Sequence, residues 1–175
     1  MTALCLAGAP EAKLDAVREA LERGGAAESL PLNRERRIDM DEWHRNTRPS
    51  LQESGRVGRV WEHLATELLL ENMEVPLWGW SVAGVARATL DFWAAHDPQV
   101  RFLIVYRSPL EHFEEALTAG TTVRACAEEL QEWLEEQRSR LDFYLEHSER
   151  SLLVRLTDFL RAPEAVLARL VESGA

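Results

Sequence analysis

The apolar positions change period repeatedly along the chain. Residues 3–7 (ALCLA) are continuously apolar and predict a short buried strand, followed by a turn at Gly8, Ala9 and Pro10. Over residues 11–23, Leu14, Val17, Ala20 and Leu21 recur at helical spacing, and Gly24 with Gly25 stops that helix. Residues 29–49 show no clean period and hold Pro31, Pro49 and many charges. They predict a long, partly ordered loop with a short strand at 29–32, and loops of that length in compact domains are often functional. Residues 50–72 predict one helix with Val57, Val60, Trp61, Leu64, Leu68 and Leu69 as its stripe, and Ser50 with Glu53 resembles a capping box.

The second half repeats the alternation. A strand is expected at 75–80, then a helix over 81–95 burying Val85, Ala88, Phe92 and Trp93. The strand at 100–106 is unbroken apolar from Phe102, as happens when both faces of a sheet are covered. A helix follows at 109–119. A long one from Thr122 to about His147 turns Val123, Cys126, Leu130, Trp133, Leu134, Leu141 and Leu145 inward. A strand at 151–156 precedes a last helix with Pro163 in its first turn. Strands alternating with helices predict an α/β three-layer sandwich. Its central parallel sheet has four to five strands, with helices on both faces.

Composition narrows the class. The chain has 175 residues, 46% of them hydrophobic, which suits one domain over 1–175 and excludes a disordered chain. No run approaches the roughly 20 apolar residues of a membrane span. The start, MTALCLAGAP, has no basic n-region, so it reads as a first strand rather than a signal peptide, and a cytoplasmic location is expected. Cys5 and Cys126 lack CxxC neighbours and are expected to be buried free thiols. A net charge of −10 argues against nucleic-acid binding. Arginines cluster between Arg34 and Arg59, acids between Glu111 and Glu149, and Lys13 is the only lysine.

Four stretches carry candidate chemistry. The turn from Gly8 to Lys13 opens a helix, where free N–H groups and the helix dipole favour anions. Glu11, however, sets a negative charge in that first turn, as ordinary helix-start electrostatics does. Trp78 and Trp80 flank Gly79 at a strand end, suited either to stacking a planar ligand or to core packing. Arg107 and Ser108 end the strand of 100–106. Arg107 is placed either to grip an anion in two-pronged fashion or to pair with Glu111, Glu114 or Glu115. Within the arginine-rich loop, His44 and Glu42 are weak candidates for a general base, although a histidine in a charged loop is usually a surface residue. No metal-ligand spacing is present among the histidines.

These stretches resemble, in order, the sulfotransferases that use 3'-phosphoadenosine 5'-phosphosulfate (PAPS) on a P-loop-like fold. CLAGAPEAKLDAVREALERGGA is similar to the family's first strand, 5'-phosphosulfate loop and first helix. WGWSVAGVARATLDFW is similar to a segment that reads Trp-Gly-x-Lys-Asp-Pro-Arg in many bacterial members. RFLIVYRSPLEHFEEAL resembles the 3'-phosphate segment, with Arg107 at the phosphate arginine. LLVRLTDFLRAPEAVLARL resembles the late strand and helix. The departures fall on the chemistry. Glu11, Ala12 and Lys13 stand where the loop has a basic residue, a serine and a glycine, and Leu14 and Asp15 replace its hydroxyl residues. Residues 81–84 replace Lys-Asp-Pro-Arg, and Glu115 stands where a serine contacts the 3'-phosphate.

The resemblance thus implies the fold but a degenerate donor site. The expected function is a binding, regulatory or assembly module, acting as a homo-oligomer or on a protein partner, with no cofactor, no membrane and no nucleic acid. The alternative is an active enzyme moving a sulfuryl group from PAPS to a hydroxyl or amine. In that case Gly8, Lys13, Arg107 and Ser108 would hold the donor, and His44 or Glu42 would deprotonate the acceptor.

Overall fold

The structure, a computed structural model, describes residues 2–10, 13–30, 32, 38–82, 87–111, 114 and 123–172. Five strands form one sheet: β1 (Thr2–Ala7), β2 (Ala27–Glu28), β3 (Leu77–Val82), β4 (Arg101–Tyr106) and β5 (Ser151–Arg155). Their order across the sheet is β2-β3-β1-β4-β5, and every pair is parallel. The helices are α1 (Leu14–Arg23), α2 (Met40–Ser54), α3 (Arg59–Glu71), α4 (Arg87–His96), α5 (Val123–Glu146), α6 (Leu156–Arg161) and α7 (Pro163–Glu172). This is the expected α/β sandwich, with a layout consistent with Rossmann-like and P-loop-like folds. Among the described residues, no helix is long and apolar enough to cross a membrane.

Side-chain alternation explains why the strands read as unbroken apolar runs. Leu4, Leu6, Leu103 and Val105 point to one face, against Val17 and Leu21 of α1, Phe159 of α6 and Leu167 of α7. Ala3, Cys5, Trp78, Trp80, Phe102 and Ile104 point to the other, against α2, α3, α4 and Phe143 of α5. Each strand therefore needs apolar residues at both parities. Trp78 and Trp80 belong to this second core layer, so they pack rather than present rings to solvent. Cys5 is buried as expected, while the side chain of Cys126 lies outside the described ones.

The stretch from 29 to 72 corrects the sequence expectation most. Residues 40–49 are not loop, and 50–72 is not one helix. The Asp39 carboxylate accepts the Glu42 N–H at 2.8 Å and starts α2 there. Met40, Trp43, His44, Thr47 and Leu51 then recur at three- and four-residue steps on its buried face. Pro49 sits inside this helix. It offers no N–H to the turn before it, so the buried face rather than intrinsic propensity holds α2 together. Ser50 is mid-helix, and no helix begins at the supposed Ser50–Glu53 box. Gly55, left-handed at φ 67°, ends α2, and α3 starts after Gly58.

Smaller shifts follow the same physics. The strand expected at 29–32 is β2 at Ala27–Glu28, and Leu32 instead forms an isolated antiparallel bridge with Ile38. β3 extends through Ser81, which was expected to open a helix, and α4 begins at Arg87. The expected inward face of α5 holds only in part: Leu130 and Trp133 are half-buried, but Leu134, Leu141 and Leu145 are 51%, 44% and 63% exposed, while Arg140 and Phe143 are buried. Phe143 meets Phe102 edge-on at 4.9 Å, and the Arg87 guanidinium lies 5.4 Å from its ring centre. The residues of the expected 109–119 helix are helical at 109–111, and most of the rest lie outside the described residues.

One buried side chain fixes where the sheet edge stops. Asn72, fully buried at the end of α3, accepts the Leu30 N–H at 2.7 Å and donates to the carbonyls of Leu30 and Leu68 at 3.2 and 2.8 Å. It ties the chain leaving β2 to α3 and away from β3. Replacing it with alanine removes a buried bond to the Leu68 carbonyl and two part-buried ones to Leu30, so Asn72→Ala should cost about 1–3 kcal/mol in urea unfolding.

Candidate functional site

The chain leaves β1 toward the β2 edge and leaves β4 toward β5. Open α/β sheets bind ligands at the carboxyl ends of strands where such a reversal occurs. Here that place is the pair of segments after β1 and β4, holding Gly8, Lys13, Arg107 and Ser108. Gly8 has φ 99°, and a Cβ on it would lie 2.1 Å from the Val105 carbonyl oxygen. The two strand ends are therefore in backbone contact, and glycine is required there for packing alone. The Lys13 N–H closes the turn by donating to the Pro10 carbonyl at 2.9 Å, and the Lys13 side chain is exposed. Glu11 and Ala12 lie outside the described residues.

The end of β4 is occupied by its own hydrogen bonds. The Ser108 hydroxyl accepts the Glu111 N–H at 3.2 Å, and the Glu111 carboxylate accepts the Ser108 N–H at 3.0 Å. This is a reciprocal capping box, and it uses the donors that would otherwise face an anion. The other Glu111 oxygen accepts from Arg155, one residue past the last apolar position of β5, at 2.7 Å. Arg107 donates to the Glu111 carbonyl at 3.3 Å. Partial burial alone would push the Glu111 carboxyl up. The Ser108 N–H and the Arg155 guanidinium outweigh it and hold the carboxyl below the usual carboxylate range. Glu111 is thus held ionised, as the partner of Arg155.

His44 and Glu42 do not join this constellation. His44 is buried, not on the surface, at ring distances of 5.0 Å from Trp43, 6.5 Å from Trp80 and 5.8 Å from Trp93. Trp93 Nε1 donates to His44 Nε2 at 3.0 Å, and His44 Nδ1 lies 2.6 Å from the Met40 carbonyl. An indole nitrogen only donates and a carbonyl only accepts, so the ring is neutral with its proton on Nδ1. Burial pushes its pKa down to about 4, against a smaller upward pull from the Met40 carbonyl. Both nitrogens are committed, which leaves no lone pair for general-base work. Glu42 pairs with Arg45 at 2.5 Å and Asn46 at 2.8 Å on the outer side of α2.

Two further features escaped the sequence. Asp91, Glu146 and His147 have ligand atoms within 4.8 Å of one another. The Arg87 guanidinium already contacts both carboxylates, Asp91 at 2.7 Å, which gives this acidic group its own cation. The second feature is a cleft of about 190 Å³ on the far side of the sheet from β5. Arg18 and Glu22 of α1, Glu28 at the end of β2 and Ser29 after it, Asp39 and Asp41 at the start of α2, and Trp80 and Ser81 of β3 line it. None of Gly8, Lys13, Arg107 or Ser108 does. The Ser-x-x-Glu spacing at 108–111 was a readable signal for the capping box. The cleft had none, because it joins four distant segments.

Compared with known proteins, the chain matches no family model and no curated protein.

Proposed function

We propose that this chain is a sulfotransferase-like α/β domain that no longer binds PAPS and serves as a binding, regulatory or assembly module. The reading is carried by one observation, the Ser108–Glu111 box with its Arg155 partner at the end of β4. A bound 3'-phosphate would have to displace a carboxylate held by a guanidinium, and would find the Ser108 and Glu111 N–H groups already used. The substitutions at Glu11, Ala12 and Asp15 point the same way.

Titration calorimetry with adenosine 3',5'-bisphosphate tests this. The expected trace shows heats of dilution only, with no saturation below about 1 mM ligand. Micromolar binding that disappears in Arg107→Ala would instead restore the catalytic alternative.

A further inference from the structure

We propose that the outward face of α5 is a docking surface for a basic amphipathic helix of another protein. The inference rests on the reading of the chain as a binding module, and it names the kind of partner that module takes.

The face exists because α5 carries more leucine than its seat on the sheet uses. Arg140 and Phe143 are buried, and they fix the side of the helix that meets the core. Leu134, Leu141 and Leu145 are spaced by seven and four residues, which puts them within about 40° of one another around the helix axis. All three are exposed. Leu130, half-buried, continues the row by one turn. Exposed leucines scattered singly are ordinary, but a row along one side of a helix is the seam that a second helix closes. From Leu134 to Leu145 the seam runs about 16 Å, so three turns of a partner cover it.

Charge selects the partner. Glu135 and Asp142 each directly follow a seam leucine, and they share one flank of the row. In paired helices, the positions beside the seam choose the partner by charge. Neither acid has an ion-pair partner among the described residues, whereas Glu136 contacts Arg140 at 2.9 Å and Glu146 contacts Arg87. Among the described side chains of α5, Arg138 is the one exposed cation, and it stands within the seam rather than on the flank. Lysines or arginines beside the partner's apolar row would meet Glu135 and Asp142. A second copy of this chain fits poorly. Packed antiparallel, it would set those two acids against their own counterparts, on a chain of net charge −10.

The probe is a synthetic peptide of about three heptads with leucine at positions a and d and lysine at e and g. Its match carries glutamate at e and g. Each is titrated into the whole chain and followed by amide chemical shifts. The lysine peptide should saturate with a Kd of tens of micromolar and move the Leu134, Leu141 and Leu145 resonances, while the glutamate peptide does neither. Leu141→Gln with Leu145→Gln should weaken binding at least tenfold, and Glu135→Gln with Asp142→Asn about tenfold. All four residues are exposed, so both variants should melt close to the parent chain. Equal binding of the glutamate peptide, binding unchanged in either double variant, or no saturation would each overturn the proposal. So would a dimer of the chain alone, seen by sedimentation and dissolved by the leucine substitutions, because the face would then belong to a second copy. None of these outcomes alters the bisphosphate titration, so the partner and the module reading fail separately.

Discussion

Between pH 7 and pH 4 the folded chain is expected to lose about 3 kcal/mol of stability through His44 alone. The ordinary imidazole titrates near 6.5, and in the folded chain His44 is pushed down to about 4. A depressed pKa means that the unfolded chain takes up the proton first. The contribution is therefore fully present above about pH 6.5 and is lost as the pH falls toward 4. The geometry gives the reason. Protonating Nε2 would set its N–H against the Trp93 N–H, two donors facing each other inside an aromatic cluster. His96, also lowered by burial, adds in the same direction. Urea unfolding of the parent chain and of His44→Leu at several pH values isolates the effect. The parent should be the more stable at pH 7, and the gap should shrink by about 3 kcal/mol on reaching pH 4. A gap that stays constant with pH would show that His44 is not held neutral.

Gly8→Ala should cost on the order of 4 kcal/mol, enough to leave much of the chain unfolded. Two penalties combine there. The backbone sits at φ 99°, and the new methyl would lie 2.1 Å from the Val105 carbonyl oxygen in the middle of the sheet. Gly25 separates them, because its φ is 88° but nothing lies within 4 Å of the Cβ position. Gly25→Ala should therefore show backbone strain alone, about 1–2 kcal/mol. Thermal melts of the two variants side by side test the contrast. Equal losses would mean that the β1–β4 contact is looser than the geometry describes.

Strands β1 and β4 were legible because a strand covered on both faces is apolar almost throughout, and such runs are short and bounded by Gly and Pro; β2, two exposed residues, carries no such signal and lies outside the expected 29–32. α2 was hidden by two misleading signals. Pro49 usually breaks helices, and Asp41, Glu42, Arg45 and Arg48 dilute the hydrophobic pattern, although Met40, Trp43, His44, Thr47 and Leu51 keep perfect helical spacing. Once 40–49 reads as loop, His44 becomes a surface histidine, and its aromatic surroundings drop out of view. At 108–111 the Ser-x-x-Glu spacing was visible but went unread, because Ser108 was considered only as a residue that would hold a donor; its contact with the Glu111 N–H makes it a cap. On α5, Leu134, Leu141 and Leu145 were placed on the wrong side while Leu130 and Trp133 are half-buried, since apolar spacing fixes a stripe and not which of two neighbouring stripes meets the sheet.

The order β2-β3-β1-β4-β5 carries a consequence for how the chain assembles. β1 is the central strand, and its partners are β3 and β4. Residues 2–7 are thus made long before either neighbour: β3 ends at Val82 and β4 only at Tyr106, so the second edge of β1 waits for most of the first 106 residues. Parallel pairing between segments so distant in sequence is slow, because loop closure precedes any gain from contact. A nascent ALCLA segment waiting in water is a target for chaperones, and truncation before β4 leaves it permanently without a second neighbour.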